Sequence, residues 1–197
     1  MAEPIEDATF RNEDWYAEEL SRLQYVRCEF GSIDLSEAST RGALFSECTF
    51  TDVRFNVSSH TDSAFTNCAF KNCNFFDAEF AGCKLTGSTF RGCSLGPMRV
   101  TGGDWSFVGF SGADLRQSTF QGVRLREADL TGANCSEATF ADSDLSGAQL
   151  HRCNFARSDL RGSDLSALEP LQAELSGTTI TPDQAVVIAQ ALGLQVR

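Results

Sequence analysis

Large apolar side chains recur at every fifth position along most of the chain. From Ser111 to Leu165 each group of five ends in Leu, Phe or Cys, and the groups read SGADL RQSTF QGVRL READL TGANC SEATF ADSDL SGAQL HRCNF ARSDL RGSDL. The register already holds at residue 25, and of the 29 positions divisible by five between 25 and 165 only Thr40 and His60 are polar. This period belongs neither to an α-helix nor to a β-strand, and it identifies an internal repeat.

The residue types within each repeat predict its geometry. If the large residue is position i, then position i−2 usually holds Ala, Ser, Val or Cys, and the positions between are polar. A coil that turns a corner every five residues would direct every i residue to one axis. Four sides would make a turn of about 20 residues, and stacked turns would bond backbone to backbone at about 4.8 Å. Position i−2 must be small because the axis is crowded, so the pattern predicts an all-β solenoid with a filled interior.

Individual repeats resemble those of a known family. ADLTG, SDLSG and SDLRG are similar to the A(D/N)LXX units of pentapeptide-repeat proteins. The resemblance implies a right-handed quadrilateral β-helix over residues 25–165. We expect residues 1–24 to form an N-terminal cap or distorted first turn, and residues 166–197 to form a C-terminal cap with an α-helical dimerisation segment.

The N-terminal segment keeps the period but breaks the rule for small residues. Phe10, Trp15 and Leu20 are in register, yet Glu13 and Glu18 fall at i−2. A buried carboxylate there would be costly. The segment is therefore predicted to be either a distorted first turn or a short capping helix, with Asn12 as its N-cap.

The two polar i residues, Thr40 and His60, are 20 residues apart and would be stacked neighbours. We predict a hydrogen-bonded polar pair in the core, since no other candidate metal ligand or catalytic partner accompanies them.

Residues 96–107 disturb the repeat without shifting it. Met98 is large for position i−2, Pro97 has no N–H group, and Gly102 precedes a second glycine. This predicts a bend or bulge, and the alternative is a partner-binding loop. Phe76 and Phe107 lie outside the five-residue series and are predicted to point outward.

After Leu165 the period ends and a helix is predicted. Thr181 is a good N-cap, Pro182 suits the first helical position, and Gly193 would end the helix. The helix is apolar almost all round, so one face can cap the coil while the others need cover. A homodimer would provide that cover. The predicted interface residues are Val186, Val187, Ile188, Ala191, Leu192 and Leu194.

Eight cysteines raise the possibility of disulfides or a metal site. Seven of them occupy position i−2, where Ala and Ser alternate with them, and Cys135 occupies position i. A free Cys behaves as a small buried hydrophobe. We therefore expect eight reduced structural thiols, no metal and no cofactor.

Charge and hydropathy narrow the function. The formal net charge is −11, and residues 25–165 hold 17 acids and 13 bases with no strongly single-signed side. Such a surface argues against nucleic-acid binding. No apolar run is long enough to span a membrane, and the acidic N-terminus lacks a secretory signal, so a cytoplasmic protein without a membrane contact is expected.

One acidic pattern is more specific. Asp114, Asp129, Asp144 and Asp159 all occupy position i−1 and are 15 residues apart, which is three-quarters of a turn. They would form a stripe winding around the rod, and such a stripe could imitate the phosphate backbone of DNA. The alternative is that Asp is the habitual residue of the repeat, where it makes local turn hydrogen bonds.

Further segments resemble the fluoroquinolone-resistance class of pentapeptide-repeat proteins, which includes mycobacterial MfpA and the Qnr proteins. They are RGALFSECTF at 41–50, LSRLQ at 20–24, Pro97 and DQAV at 183–186. This sequence lacks the large loop insertions of many Qnr proteins, which favours the MfpA-like subclass. The resemblance implies a homodimeric DNA mimic that binds DNA gyrase, a topoisomerase, modulates or inhibits it, and protects it from fluoroquinolones, which gives antibiotic resistance. Together with the resemblance, the spacing of the four aspartates makes their stripe the predicted gyrase-binding site.

Two other functions compete with gyrase binding. A structural or scaffold repeat protein with another protein partner is the alternative to gyrase binding. An enzyme is disfavoured, because the chain shows no nucleophile–base pair, phosphate loop or metal-ligand spacing, and a filled axis leaves no pocket for a small-molecule substrate.

Overall fold

The computed structural model describes residues 3–197, and most of them form one right-handed β-solenoid. Its strands are short, and each contains one i residue, which is buried from β4 onward. They are β1 (Ile5–Glu6), β2 (Thr9–Arg11), β3 (Glu19–Ser21), β4 (Gln24–Val26), β5 (Glu29–Gly31), β6 (Ser39–Arg41), β7 (Leu44–Ser46), β8 (Thr49–Thr51), β9 (Ser59–Thr61), β10 (Ala64–Thr66), β11 (Ala69–Lys71), β12 (Glu79–Ala81), β13 (Thr89–Arg91), β14 (Arg99–Thr101), β15 (Thr119–Gln121) and β16 (Thr139–Ala141).

The strands stack into parallel sheets that form the faces of the coil. Face 1 contains β1, β4, β7 and β10; face 2 contains β2, β5, β8, β11 and β13; face 4 contains β3, β6, β9, β12, β14, β15 and β16. Face 3 is joined by single bridges, which begin with Asp14 to Asp34. Paired residues are 20 apart throughout, as in Phe50 with Phe70. The predicted solenoid is confirmed.

The i side chains stack as ladders inside the coil. On face 2 the ring centroids of Phe30 and Phe50 are 4.7 Å apart, those of Phe50 and Phe70 4.9 Å, and those of Phe70 and Phe90 4.7 Å. These spacings match the distance between hydrogen-bonded strands, about 4.8 Å. The backbone period therefore sets the stacking distance of the rings, and the interior is filled.

The corners of the coil use the left-handed backbone region. At position i+2 the chain repeatedly adopts positive φ, as at Asn12 (56°), Val57 (58°) and Phe107 (60°), and glycine often occupies the same position. Asn tolerates this conformation well, whereas it is unfavourable for a β-branched residue such as Val.

The coil begins earlier than the sequence suggested, because residues 5–24 form an ordinary first turn. Strands β1, β2 and β3 pair with β4, β5 and β6. The alternative of a short helix capped by Asn12 was wrong. Glu13 and Glu18 are tolerated at i−2 because both remain exposed, and the Glu13 carboxylate accepts a hydrogen bond from Trp15 Nε1 at 2.8 Å.

The predicted polar pair lies in the core. Thr40 Oγ1 is 2.9 Å from His60 Nδ1, and Ser58 Oγ is 3.0 Å from His60 Nε2. Ser58 Oγ donates to the carbonyl of Phe55 at 2.7 Å, and Thr40 Oγ1 donates to Ser63 Oγ at 2.9 Å. Each imidazole nitrogen therefore lies within hydrogen-bonding distance of a hydroxyl oxygen.

The predicted disturbance at residue 96 is also present. The Gly96–Pro97 peptide bond is cis, and Met98 is nevertheless buried. On face 3 the bridge from Asn74 ends at Ser94, and bridging resumes between Asp114 and Asn134. Among the described residues no bridge joins Ser94 to Asp114, so face 3 is open at this level.

The C-terminal end is closed by a short 3₁₀ helix at Pro170–Gln172 and the helix α1 at Pro182–Ala191. As predicted, Thr181 is the N-cap and Gly193 follows the helix with positive φ. Gln184 completes a capping box: its backbone N–H donates to Thr181 Oγ1 at 3.3 Å, and its Oε1 accepts the Thr181 N–H at 2.7 Å. Within residues 3–197 no helix is long and apolar enough to cross a membrane.

Candidate protein-binding surfaces

The outer surface is the part of the coil that a partner can reach, because the interior is packed with side chains. All eight cysteines are free thiols, and seven of them are buried. Cys93 is the exception and is partly exposed at the opening of face 3. Residues 3–197 contain no group of three His, Cys, Asp or Glu side chains placed to hold a metal ion.

The four aspartates of the predicted stripe do wind around the rod. Asp114 lies on face 3, Asp129 on face 2, Asp144 on face 1 and Asp159 on face 4, since the backbone bridges of each one join it to residues of that face. Each carboxylate also accepts the backbone N–H two residues later, at 2.9 Å for Thr131 onto Asp129. The aspartates therefore also build the corners, as the alternative interpretation proposed.

Arginines neutralise most of this stripe. Asp114 pairs with Arg116 at 2.7 Å and Asp159 pairs with Arg161 at 2.6 Å, and Asp144 pairs with Arg126. Hydrogen bonds from the neighbouring guanidinium lower the pKa of Asp114 and of Asp159.

Asp129 differs from the other three, because no arginine pairs with it among the described residues. The pairing of Asp114 and Asp159 was visible in the sequence, because each is followed two residues later by an Arg in Asp-Leu-Arg. The unneutralised charge of the stripe is thus concentrated at Asp129.

The faces differ in net charge. Counting outward positions i−1, i+1 and i+2 along the coil, face 3 carries seven acids and three arginines, a net charge of −4. They are Asp14, Asp34, Glu37, Asp77, Asp114, Glu137, Glu174, Arg54, Arg116 and Arg157. The same positions of face 2 carry four acids and four bases, so it is neutral: Glu29, Asp52, Asp129, Glu169, Arg11, Lys71, Arg91 and Arg152. By the same count face 1 carries seven acids and four bases, a net charge of −3, so charge favours face 3 clearly over face 2 and only slightly over face 1.

Exposed apolar side chains mark the corner that follows face 3. We call this corner the face-3 edge. It comprises the two residues that follow each i residue of face 3, from Tyr16 in the first turn to Pro97 in the fifth. Tyr16 is 52% exposed, Val57 51% and Phe76 50%. Phe107, 55% exposed, lies alone on the corner that follows face 1. Both phenylalanines point outward, as predicted.

The face-3 edge ends at an open recess. The recess has a volume of about 430 Å³ and is lined by Cys93, Pro97, Asp114, Arg116, Glu137 and Arg157, among others. It lies where bridging between Ser94 and Asp114 is interrupted. The walls carry charges of both signs.

Helix α1 and the residues that follow it carry the residues predicted for the dimer interface, and most of these are exposed. Val186 and Val187 are each 38% exposed, Leu192 43% and Leu194 60%, and Ala191 is also exposed. Ile188 differs, because it is partly buried and packs against the core of the coil.

Sequence reasoning missed the role of Gln184, which is buried and anchors the helix. Its Nε2 donates to the carbonyls of Leu160 and Ser163, at 2.7 Å each. In the sequence, the only signal of the capping box is the position of Gln184 three residues after the N-cap Thr181, in Thr-Pro-Asp-Gln. Gln184 and Ile188 thus hold α1 on the coil, and the two valines face away.

Comparison with known proteins agrees with this architecture. The family model that describes the pentapeptide repeat region matches residues 18–96 and 73–150 of this chain. The chain therefore belongs to the pentapeptide-repeat proteins.

Two solved structures of QnrB1, a plasmid-mediated fluoroquinolone resistance protein, are similar over the whole chain. A trypsin-treated variant superposes with a TM-score of 0.75 at 24% identity and covers 100% of both chains. The full-length form superposes with a TM-score of 0.70 at 22% identity, covering 98% of this chain and 100% of QnrB1. At this identity the likeness establishes the fold. No curated protein sequence matches the chain.

Proposed function

We propose that this protein binds DNA gyrase as a homodimeric mimic of DNA, inhibits it and protects it from fluoroquinolones. The observation that carries the proposal is the full-length likeness to the resistance protein QnrB1. The net charge of −11 and the core of packed side chains along the coil are consistent with a protein that acts through its outer surface. Resemblance of several segments to the MfpA-like subclass supports the same partner.

The stripe is proposed to contribute mainly through Asp129. Its carboxylate has no arginine partner among the described residues, so its charge is available to a Lys or Arg of gyrase. Asp114, Asp144 and Asp159 would have to exchange an internal arginine for an external one. Exposed ion pairs are worth little, about 0–1 kcal/mol, so that exchange is possible but contributes little net affinity.

Titration of the protein into a gyrase supercoiling assay tests the proposal. We expect inhibition of supercoiling and, with a fluoroquinolone present, less drug-stabilised DNA cleavage. Absence of any effect on either reaction at saturating protein would favour a scaffold protein with another partner.

A charge-removing substitution that keeps the corner intact tests the stripe. Asn occupies the same position at Asn134 and Asn154, where its Oδ1 accepts the same backbone hydrogen bond, at 3.2 Å and 3.0 Å. Asp129→Asn should therefore leave the fold unchanged and raise the inhibitory concentration, and Asp129→Lys combined with Asp144→Lys should raise it further. Neutralising Glu18 and Glu19, two exposed acids of the first turn, is the control and should change little. Equal effects of the stripe and control variants would mean that only total charge matters.

A further inference from the structure

We infer that the face-3 edge is the surface that docks on the partner, and that the partner patch is a basic protein surface with an apolar recess. This inference rests on the proposed function, and it identifies which side of the rod meets gyrase. A rigid partner that approaches from one side can contact at most one or two members of the winding stripe. A single edge, by contrast, presents its side chains in one line.

The backbone holds the edge in a straight column. Successive turns are joined here by Ala17 N–H to Ser36 O at 2.9 Å, Glu37 N–H to Asn56 O at 2.9 Å and Val57 N–H to Phe76 O at 2.9 Å. The next rung runs from Asp77 N–H to Pro97 O at 2.7 Å. Rungs of this kind are about 4.8 Å apart. The edge is therefore a rigid, pre-organised line, and little conformational entropy is lost when it binds.

The apolar side chains along this line have no packing role that explains them. Val57 and Phe76 occupy neighbouring rungs, and about half of each side chain is exposed. Val57 also holds a left-handed backbone conformation, φ 58°, which a β-branched residue adopts only at a cost. Adjacent exposed apolar side chains with unfavourable local conformation are typical of a binding surface.

The acidic charge of face 3 favours a partner with a basic surface. Face 3 has the net charge of −4 described above, and Glu37 lies on the edge itself. The Glu37 carboxylate holds Tyr16 in place through a hydrogen bond that raises the pKa of the tyrosine. A patch with Lys or Arg around an apolar recess would complement this combination of half-exposed rings and carboxylates.

Two pairs of matched substitutions test the inference in the full-length protein. Phe76→Ala is compared with Phe107→Ala, because both rings are about half exposed and lie on different edges. Glu37→Lys is compared with Glu127→Lys, because both glutamates occupy position i+2 with positive φ, 58° and 53°, and neither forms an arginine salt bridge among the described residues. All four positions face solvent, so thermal unfolding should show an unchanged fold.

We expect Phe76→Ala and Glu37→Lys each to weaken gyrase binding by about tenfold, as central interface residues do, with a matching rise in the inhibitory concentration. Phe107→Ala and Glu127→Lys should change it less than about twofold. If the wild type inhibits gyrase but both members of each pair behave alike, the face-3 edge is not the docking surface. If the wild type does not bind gyrase at all, the proposed function itself fails, and the two failures are thereby distinguished.

Discussion

At the scale of single residues, stability comes from stacking of like side chains at position i. Phe120 is fully buried, and its ring lies 4.8 Å from that of Phe140 at an interplanar angle of 4°. Offset stacks of this kind add to the free energy gained by burying the ring. Ring stacking thus links neighbouring turns of the coil.

Phe120→Ala should therefore lower the free energy of unfolding by about 3–5 kcal/mol, because a cavity is left that neighbouring turns cannot fill. Phe107→Ala, which removes a half-exposed ring, should change it by less than about 0.5 kcal/mol. Urea unfolding of both variants measures the difference. Similar small losses for both would mean that position 120 is not an interior position.

His60 makes stability depend on pH. Burial lowers the pKa of His60 to about 3, whereas in the unfolded chain it is about 6.5. Between these values the unfolded state binds more protons, so stability is complete above about pH 6.5 and is lost as the pH falls. At pH 5 the loss from this group should be about 2 kcal/mol.

Urea unfolding at neutral pH and at pH 5 tests this dependence. His60→Phe, which continues the aromatic ladder next to Phe80, should remove most of it, because carboxylates begin to contribute only near their unfolded pKa values of about 4. An equal loss in the variant would assign the effect to other groups.

At the scale of elements, much of the architecture could be predicted from the sequence, because the five-residue register determines which side chains face inward. The solenoid and the outward rings of Phe76 and Phe107 follow directly from it, whereas the helix that begins after Thr181 follows from its N-cap and from Pro182. The first turn was harder to predict, because Glu13 and Glu18 break the pattern. They are accommodated because they remain exposed, and residue types alone do not reveal this.

The candidate surfaces were less predictable than the fold. The stripe could be read from spacing, but its neutralisation by Arg126 depends on a contact between residues 18 apart. The face-3 edge is invisible as a unit in the sequence, because Tyr16, Val57 and Phe76 occupy positions i+1 and i+2 without a repeat of their own. Only the stacking of turns brings them into one line.

Helix α1 is predicted to form the dimer through its outward valines. Val187→Glu should yield a folded monomer, because a carboxylate without a partner is costly in an apolar interface. Leu44→Glu is the control, since Leu44 is 42% exposed on face 1 and lies outside α1. Sedimentation should show a monomer for the first variant and a dimer for the second. An unchanged dimer for Val187→Glu would remove α1 from the interface.

At the scale of the whole molecule, charge density limits how far the rod can imitate DNA. The coil from residue 5 to about residue 180 is about 40 Å long, at about 4.8 Å per turn. Duplex DNA carries one charge per about 1.7 Å, or roughly 24 over that length. The protein carries a net −11 in total. With less than half the charge of DNA, the proposed binding to gyrase would have to gain affinity from shape and apolar contacts as well.

This comparison predicts how binding responds to salt. DNA releases condensed counterions when it binds, so its affinity for gyrase should fall steeply between about 50 and 200 mM salt. The protein should weaken over the same range but less steeply, because its carboxylates are only screened, with a Debye length of about 10 Å at 0.1 M. Dissociation constants for the protein and for a DNA duplex of equal length, measured on one gyrase preparation, provide the test. If the logarithm of the dissociation constant rises equally steeply with the logarithm of the salt concentration for both, charge alone drives binding, and the apolar side chains of the face-3 edge have no role. A slope of zero would instead remove the acidic side chains from the interface.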